Sequence, residues 1–285
     1  MKNKIDLHIH SIKSDGTYTP SQIAVLAKEK GLSAAALTDH DSMEGTEEFI
    51  EECEHLGIEG IPGVEMGAAF KGELHIVGLY VGGEEFRKTL QELRNGRKDR
   101  NLKMIKKLQE GGYDIVIDDI IDEEAGITLE SSGRLHIAKS LVKKGYVKDV
   151  DEAFDTMLSK GKEFYVKRFA LSPEECIKAI KNAGGAAVWA HPIYSAKTEE
   201  DITALALRLK EAGLDAMECL YSRYTDEDTM MCQRVAEKTG LLMSGGSDFH
   251  GENKPDVELG AVNGGYVPYE FLEKIKERTA YAEHK

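Results

Sequence analysis

Three features that mark particular protein classes are missing from this 285-residue chain. No apolar run approaches the roughly 20 residues that a membrane-spanning helix requires, so we expect no membrane association. Basic charge is not in excess, because 37 Lys and Arg face 51 Asp and Glu, a net charge of −14, which argues against a broad nucleic-acid surface. The few cysteines form no close pair, which argues against a disulfide framework or a zinc knuckle: Cys53, Cys176, Cys219 and Cys232.

The remaining composition is that of a globular protein, with 41% hydrophobic and 31% charged residues. The length fits one large domain, or one domain plus an insertion. A strand-like run begins within the first few residues, so we expect no signal or transit segment and a reduced, cytoplasmic location. The acidic charge does not exclude phosphorylated substrates, since bound divalent cations would make an active site locally positive.

Strand-like and helix-like stretches alternate at both ends of the chain. For example, Thr19 and Pro20 are a typical helix start, and Gly31 a typical helix end. This alternation predicts an α/β protein with a parallel sheet covered by helices. The predicted strands are residues 5–10, 34–38, 59–65, 74–80, 186–190, 215–220 and 241–247, and the predicted helices between them are 19–30, 45–55, 173–183, 199–212 and 226–239.

The polar residues at the strand ends favour a closed barrel of seven strands. In a barrel the carboxyl ends of parallel strands meet on one face, whereas an open sheet would spread them along an edge. One connection, residues 66–73, is too short for a helical crossover, so we expect strand 74–80 to run antiparallel. The start of that strand, with His75, would then lie beside Glu65.

The alternation lapses between about residues 83 and 165. Helix-like segments at 84–110, 118–124, 133–144 and 150–159 predict a helical insertion domain over the barrel mouth. The predicted organisation is therefore barrel (1–83), insertion (84–165) and barrel (166–285). The first inserted segment has a basic face that we interpret as solvated, with guidance of a nucleic-acid strand as the alternative: Arg94, Arg97, Lys98, Arg100 and Lys103.

Six of the nine histidines fall at predicted strand ends on one face. His8 and His10 are two residues apart on a strand, so both side chains point to the same side. A single histidine is more often structural than a ligand, but independent structural histidines would not gather in this way. We therefore predict metal ligation by Glu65, Asp248 and the six histidines: His8, His10, His40, His75, His191 and His250.

Other candidates have simpler explanations. Asp15 lies in Ser14-Asp15-Gly16-Thr17, where a turn role competes with ligation. His55, on a polar helix, and His284, in the tail, are assigned no metal role. Imidazoles mixed with carboxylates suit Zn²⁺, Mn²⁺ or Fe²⁺ better than Mg²⁺ or Ca²⁺. Such a centre can generate hydroxide near neutral pH and neutralise a phosphoryl group under attack.

The insertion contains groups suited to phosphate. Ser131-Ser132-Gly133-Arg134-Leu135-His136 opens a helix, whose free N–H groups attract anions. Arg134 can contact two phosphate oxygens at once, and His136 can donate beside it. Arg168 lies where the chain re-enters the barrel. Each arginine alone could equally be a surface ion-pair partner.

Together these motifs resemble the PHP (polymerase and histidinol phosphatase) family. The resemblance spans the chain through His8-x-His10, Asp15, Thr38-Asp39-His40-Asp41, Gly63-Val64-Glu65, His75, His191-Pro192 and Asp248-x-His250. The inserted Gly133-Arg134-Leu135-His136 segment is similar to the branch of 3′,5′-nucleotide bisphosphate phosphatases and a 5′-to-3′ exoribonuclease. Leu135 stands where many relatives would have Pro.

The resemblance implies a distorted (β/α)7 barrel with three divalent metal ions, Mn²⁺, Zn²⁺ or Fe²⁺. One metal would be held by His8, His10, Glu65 and Asp248, a second by Asp15, His40 and His250, and a third by the bridging Glu65 with His75 and His191. Substrate phosphate would contact Arg134, His136 and Arg168. A metal-bridging hydroxide would attack, with His191 and His250 as candidate proton donors.

We therefore expect a phosphoesterase acting on nucleotides. The substrate would be a 3′,5′-bisphosphate, a nucleoside monophosphate or the 5′ end of a short RNA, with phosphate or AMP as bound ligand. A histidinol-phosphatase-like activity is the alternative within the family. A C–N hydrolase of the amidohydrolase type also begins with His-x-His, but no lysine ends a middle strand here. A catalytically silent module is disfavoured because every ligand position is present.

Overall fold

The computed structural model describes residues 4–122 and 127–280. Its strands form one eight-stranded sheet in the order β7-β6-β5-β4-β3-β2-β1-β8. The seven predicted strands are present, and the sequence pattern missed only β8, which has two residues. The strands are β1 (Lys4–Ile9), β2 (Ala34–Leu37), β3 (Glu59–Gly67), β4 (His75–Leu79), β5 (Ala186–Ala190), β6 (Ala216–Tyr221), β7 (Leu242–Gly246) and β8 (Val267–Pro268).

The helices follow the predicted alternation closely. Thr19 caps the first one reciprocally with Gln22, as its position before Pro20 predicts. The sequence pattern missed two helices, α7 (Pro192–Ser195) and α10 (Tyr269–Lys276). The predicted helical segment 118–124 is only a short 3-10 turn at Ile117–Asp119, followed by non-helical residues to 122. Residues 123 and 124 of that segment, and His284, lie outside the described residues. The helices are α1 (Pro20–Glu29), α2 (Thr46–Leu56), α3 (Glu84–Glu110), α4 (Arg134–Lys143), α5 (Val150–Ala153), α6 (Pro173–Asn182), α7 (Pro192–Ser195), α8 (Glu199–Glu211), α9 (Asp226–Thr239) and α10 (Tyr269–Lys276).

The antiparallel strand predicted from the short connection is confirmed. β4 runs antiparallel to both β3 and β5, while the pairs β1–β2, β2–β3, β5–β6 and β6–β7 are parallel. Glu65 pairs with Val77 and Gly67 with His75. The start of β4 therefore joins the carboxyl ends of the parallel strands on one face.

A buried carboxylate joins β1, the strand next to one end of the sheet, to the chain just beyond β7 at the other end. Asp6, on β1, accepts hydrogen bonds from the backbone N and hydroxyl of Ser247, just beyond β7, at 2.9 and 2.5 Å, and from the backbone N of Gly260 at 2.8 Å. Burial raises the pKa of Asp6 despite these donors. Beyond Ser247, Phe249 bridges Ile9 in parallel register. The sheet thus closes into the predicted barrel.

The barrel interior and the helical layer have separate cores. On β2, Ala34 and Ala36 join the interior core, while Ala35 and Leu37 pack with α1 and α2, as the two-residue period of a strand requires. Leu272 and Ile275 of α10 also belong to the interior core. The missed helix α10 therefore closes the end of the barrel opposite the strand carboxyl ends.

The chain between α3 and β5 builds a further core. α3 has 27 residues, and its first half packs with the barrel through Phe86 and Leu90. Its second half packs with α4 and the segment after it, through Met104, Leu108 and Leu141. This arrangement is what a helical insertion would have. Within the described residues, no helix is long and apolar enough to cross a membrane.

We predict that Glu59, at the start of β3, stabilises the packing of α10 on the barrel. Its carboxylate accepts hydrogen bonds from the hydroxyls of Tyr80 (2.9 Å) and Tyr269 (2.5 Å) and pairs with Lys276. Burial alone would raise the pKa of Glu59, but these donors lower it from 4.5 to about 2. Because the group is partly exposed, Glu59→Gln should lower the free energy of unfolding by about 1–2 kcal/mol at pH 7.

The pH dependence identifies the cause. A depressed folded-state pKa contributes stability that is complete above pH 4.5 and is lost as the pH falls through 2. The free energies of unfolding of the wild type and Glu59→Gln, measured with urea, should therefore become equal as the pH falls from 4.5 to 2. Glu51→Gln, at an exposed position of α2, is the control. A difference between wild type and Glu59→Gln that stays constant to pH 2 would contradict the assignment.

Candidate metal centre

Four proposed ligands converge at the carboxyl end of β1. His8 and His10 are fully buried, and their Nε2 atoms lie 3.1 Å apart. Oε2 of Glu65 lies 3.2 and 3.1 Å from these two nitrogens. Oδ1 of Asp248 lies 3.5 and 3.4 Å from them. One atom from each of the four residues therefore faces a common point.

A second group lies next to the first. Oδ1 of Asp15 is 3.3 Å from Nε2 of His250 and 3.5 Å from Nδ1 of His10. Oδ2 of the same aspartate is 3.8 Å from Nε2 of His40. Asp15, His40 and His250 therefore meet as the resemblance implies, with His10 added. The turn that contains Asp15 directs its carboxylate toward these histidines.

The third group uses the other oxygen of Glu65. Its Oε1 lies 2.8 Å from Nδ1 of His75 and 3.0 Å from Nε2 of His191. Glu73, an exposed residue that the sequence pattern did not identify, can join His75 and His191. The position of Glu73, two residues before His75 at the hairpin, was the available signal. All nine proposed ligands are thus in one place, with Glu65 shared between groups.

Strained backbone marks the ends of these strands. Among the described non-glycine residues, positive φ occurs at Asp41 (52°), Tyr80 (57°), His191 (32°) and Asp248 (58°). Three of the four lie at the carboxyl ends of β2, β5 and β7. Such conformations persist only where surrounding contacts hold them, and they concentrate at functional sites. The strain here turns each chain sharply after its strand.

Further carboxylates hold the ligands in position. Oε1 of Glu218, on β6, lies 2.8 Å from Nδ1 of His8, and its Oε2 accepts a 2.6 Å hydrogen bond from the backbone N of His191. Asp39 accepts hydrogen bonds from the hydroxyls of Ser11 and Ser14, both at 2.6 Å. Glu218 and Asp39 thus support the proposed ligands, as groups around metal ligands commonly do.

The charges of the cluster are interdependent. Burial would raise the pKa of Glu65, but the neighbouring imidazoles, His40 first, hold it well below its usual value. Burial would lower the pKa of His10, but Asp248 and Glu65 raise it to about 9. At His40, burial prevails and lowers the pKa to about 3. The buried carboxylates therefore require nearby positive charge.

The donor set fits divalent metal ions. Oδ1 of Asp15, Nδ1 of His40 and Nδ1 of His191 are buried and make no hydrogen bond within the described residues. Unsatisfied buried polar atoms are rare in proteins, and an absent ion is one explanation for them. Nitrogen and oxygen donors together suit Zn²⁺, Mn²⁺ or Fe²⁺.

Arginines gather beside this centre. Oδ2 of Asp41 accepts hydrogen bonds from both Arg97 and Arg168, each at 2.7 Å, and Arg168 also donates to the carbonyl of Gly67 at 3.0 Å. Arg100 is only 5% exposed, and its Nε donates to the neutral Asn101. We call four residues the arginine cluster: Arg97, Arg100, Arg134 and Arg168.

The arginine cluster is deficient in anions. Burial lowers the pKa of Arg100 well below its usual value, and the positive charges of its three fellow members lower it further. Asp41 is the one carboxylate in the described part of the chain that forms an ion pair with any of the four. Arg134 instead contacts the carbonyl of Leu158 and the ring of Phe154. His136 lies in α4 together with Arg134, and its Nδ1 accepts a hydrogen bond from the backbone N of Gly133.

The prediction that the basic face of α3 is solvated was wrong for three of its members. Arg94, Arg97 and Arg100 are buried, because α3 packs with the barrel through its first half and with α4 through its second half. Lys98 and Lys103 do face solvent, Lys98 partly so. The available signal was spacing: the buried arginines continue the helical stripe of buried Leu90, Leu93, Met104 and Leu108.

Comparison with known proteins agrees with this geometry. The family profile of the PHP domain matches residues 6–227. The chain belongs to the PHP family. It is 33% identical to the 5′-3′ exoribonuclease of Haemophilus influenzae, covering 88% of this chain and 91% of the relative. It is 34% identical to the 3′,5′-nucleoside bisphosphate phosphatase of Chromobacterium violaceum, covering 89% and 90%.

Solved structures share the whole PHP architecture of this chain. A structure described as an amidohydrolase from Chromobacterium violaceum with bound sulfate superposes with a TM-score of 0.84 at 30% identity, covering 98% of this chain and 99% of the other. A structure described as a metal-dependent phosphoesterase from Bifidobacterium adolescentis gives 0.82 at 28% identity, covering 97% and 96%. Both superpositions therefore extend over nearly the whole chain.

We predict that Glu65→Gln will lower the metal content of the protein. The amide replaces a charged carboxylate whose two oxygens face different ligand groups, so at least one ion should be lost and affinity for the rest should fall. Metal analysis of protein equilibrated with excess Mn²⁺ or Zn²⁺ measures this directly. Glu54→Gln, at an exposed site on α2, is the control. Full metal content in Glu65→Gln would contradict a central role for this carboxylate.

Proposed function

We propose that this protein is a metal-dependent phosphoesterase that hydrolyses phosphate esters of nucleotides. The strongest support for this proposal is that two sites with opposite charge requirements lie side by side. Three adjoining ligand groups, two of which share Glu65, require cations, while the arginine cluster beside them requires anions. A phosphorylated substrate between bound metal ions and these arginines satisfies both. The relatives named above act on nucleotides or RNA by their names.

We assign three divalent ions, Mn²⁺, Zn²⁺ or Fe²⁺, to the three ligand groups. The assignment follows the contacts: one ion at His8, His10, Glu65 and Asp248, one at Asp15, His40 and His250, and one at Glu65, His75 and His191. When bound, such ions activate water and neutralise charge on a phosphoryl group. The protein holds their ligands through Glu218, which fixes the ring of His8.

The two candidate proton donors differ in their surroundings. Nδ1 of His250 lies 2.8 Å from the carbonyl oxygen of Asp248, which can only accept, so Nδ1 carries the hydrogen. Its Nε2 faces Asp15 and, when it carries no hydrogen, can bind a metal ion. Nδ1 of His191 is buried without a hydrogen-bond partner among the described residues. Nε2 of His191 is assigned to the third ion as well, so the contacts favour neither histidine over the other as proton donor.

The arginine cluster favours a substrate with a second phosphate. One phosphate on the metal centre does not supply an anion to every guanidinium of Arg97, Arg100, Arg134 and Arg168. A nucleoside 3′,5′-bisphosphate, or an RNA with a 5′-phosphate, carries a second anionic group at a fixed distance from the cleaved ester. We propose that Arg134, His136 and Arg168 bind it together with Arg97 and Arg100.

Two other activities fit the site less well. Histidinol phosphate carries one phosphate and would leave the arginine cluster largely unpaired. A C–N hydrolase remains a candidate because one solved neighbour is described as an amidohydrolase. Its amide substrates would offer no anion to Arg100, which is buried without an ion pair among the described residues.

A substrate panel tests the proposal. Metal-reconstituted protein should hydrolyse adenosine 3′,5′-bisphosphate or a short 5′-phosphorylated RNA faster than histidinol phosphate, and AMP more slowly than the bisphosphate. Chelation of metal should abolish each activity, and Mn²⁺ or Zn²⁺ should restore it. A fully metallated preparation that cleaves no phosphate ester would refute the proposal, as would preferential hydrolysis of an amide.

We predict that Arg100→Gln will separate substrate binding from stability. Because Arg100 is buried beside like charges, its removal should leave the unfolding temperature unchanged or higher without phosphate. The kcat/KM for adenosine 3′,5′-bisphosphate should fall about 100-fold, as expected when a buried ionic contact with substrate is lost. Hydrolysis of p-nitrophenyl phosphate, which has no second anion, should change much less.

Arg94→Gln is the matched control for Arg100→Gln. Arg94 is buried on the same helix but pairs with Glu44. Its substitution should lower the unfolding temperature, while the ratio of kcat/KM for adenosine 3′,5′-bisphosphate to kcat/KM for p-nitrophenyl phosphate should stay constant. An Arg100→Gln protein that is destabilised yet keeps the wild-type substrate ratio would show that Arg100 serves only the fold.

A further inference from the structure

An exposed aromatic ring adjoins the metal centre. Tyr194 lies in α7, the short helix that directly follows His191, and its ring centroid is 5.4 Å from that of His191. Nε2 of His191 in turn lies 3.0 Å from Glu65. A substrate group that rests on Tyr194 would therefore be next to a phosphate held at the centre.

The position of this ring is fixed by its surroundings. The backbone N of Tyr194 donates to the carbonyl of His191 at 3.0 Å, and the indole of Trp189 donates to the hydroxyl of Ser195 at 3.2 Å. The ring also meets Tyr221 edge-on, with centroids 6.0 Å apart. A ring anchored in this way loses little conformational entropy when a ligand binds to it.

Tyr194 differs from its aromatic neighbours in exposure. It is 37% exposed, whereas Tyr221 is 2% and Tyr224 is 5% exposed. Tyr221 has a structural task, because its hydroxyl donates to Asp248 at 2.6 Å. Lys197, an exposed residue, places its ammonium 5.6 Å from the Tyr194 centroid. The flexible side chain of Lys197 can leave the ring when another flat or cationic group arrives.

A second exposed aromatic residue near the site faces a different structure. Phe169 follows Arg168 and is 54% exposed. A Cβ added at Gly96 of α3 would meet the Cβ of Phe169 at 2.9 Å. Phe169 thus packs against α3 at Gly96, whereas Tyr194 contacts a proposed metal ligand.

We propose that Tyr194 is the stacking surface for the nucleobase of the substrate and thereby a specificity-determining residue. The inference rests on the proposed function for the identity of the substrate. Every base has a flat face that can stack on a tyrosine ring, so the contact favours nucleotides over sugar phosphates without selecting one base. Tyr194 would raise affinity and would take no part in the chemical step.

Binding of two small probes tests the proposal independently of catalysis. Calorimetry with AMP and with ribose 5-phosphate, which lacks the base, should show about tenfold tighter binding of AMP to the wild type. Tyr194→Ala should abolish this preference, while Tyr194→Phe and Tyr194→Trp should retain it. In kinetics, Tyr194→Ala should raise KM for adenosine 3′,5′-bisphosphate about tenfold with little change in kcat.

Tyr266→Ala is the matched control. Tyr266 is 51% exposed and precedes β8, which pairs with the start of β1, so it lies at the end of the barrel away from His8. Its substitution should change neither binding nor kinetics.

Two results would overturn the proposal. The first is equal affinity of the wild type for AMP and ribose 5-phosphate. The second is an equal fall in affinity for both probes in Tyr194→Ala, which would indicate an effect through His191. A wild type that prefers AMP yet hydrolyses no phosphate ester would refute the proposed function and leave the stacking role supported.

Discussion

The structure depends on one buried carboxylate. Glu65 is 1% exposed and lies within about hydrogen-bond distance of five imidazoles, two through Oε1 and three through Oε2. A charge buried this deeply is tolerated only when cations compensate it. Strands from both sides of the barrel must therefore converge on it. Barrel closure, through Asp6 and Ser247, and the antiparallel turn of β4 are the means by which they do so.

The arginine cluster has the opposite requirement and lies next to this centre. Arg97 and Arg168 share Asp41, whose backbone N donates to the carbonyl of Glu65 at 2.9 Å. The carboxylate-rich and guanidinium-rich halves of the mouth are thus coupled through adjacent strands. Neither half is favourable by itself, since each buries charge. A phosphorylated ligand with metal ions would neutralise the buried charge of both halves. We therefore infer the substrate class from this charge requirement as well as from the family.

Much of the fold and of the proposed ligand set followed from local pattern. His8 and His10 share a face because a strand has a period of two, and the eight residues between Glu65 and Leu74 leave no length for a crossover helix. Helix caps such as Thr19 are equally local. Where tertiary packing decides, the local pattern failed. The short strand β8 and helix α10 exist because they pair with β1 and close the barrel interior.

The sequence by itself determined the seven main strands, the antiparallel direction of β4 and the chemistry of the proposed ligands, because strand period, connection length and side-chain type are local properties. Only the tertiary structure decided which polar residues are buried and what they face. Arg100 and Lys103 are both basic residues of one helix, yet the first is buried and the second exposed. Glu218 supports His8 from a strand 210 positions away. Burial and such distant contacts arise when elements pack, and no single segment contains that information.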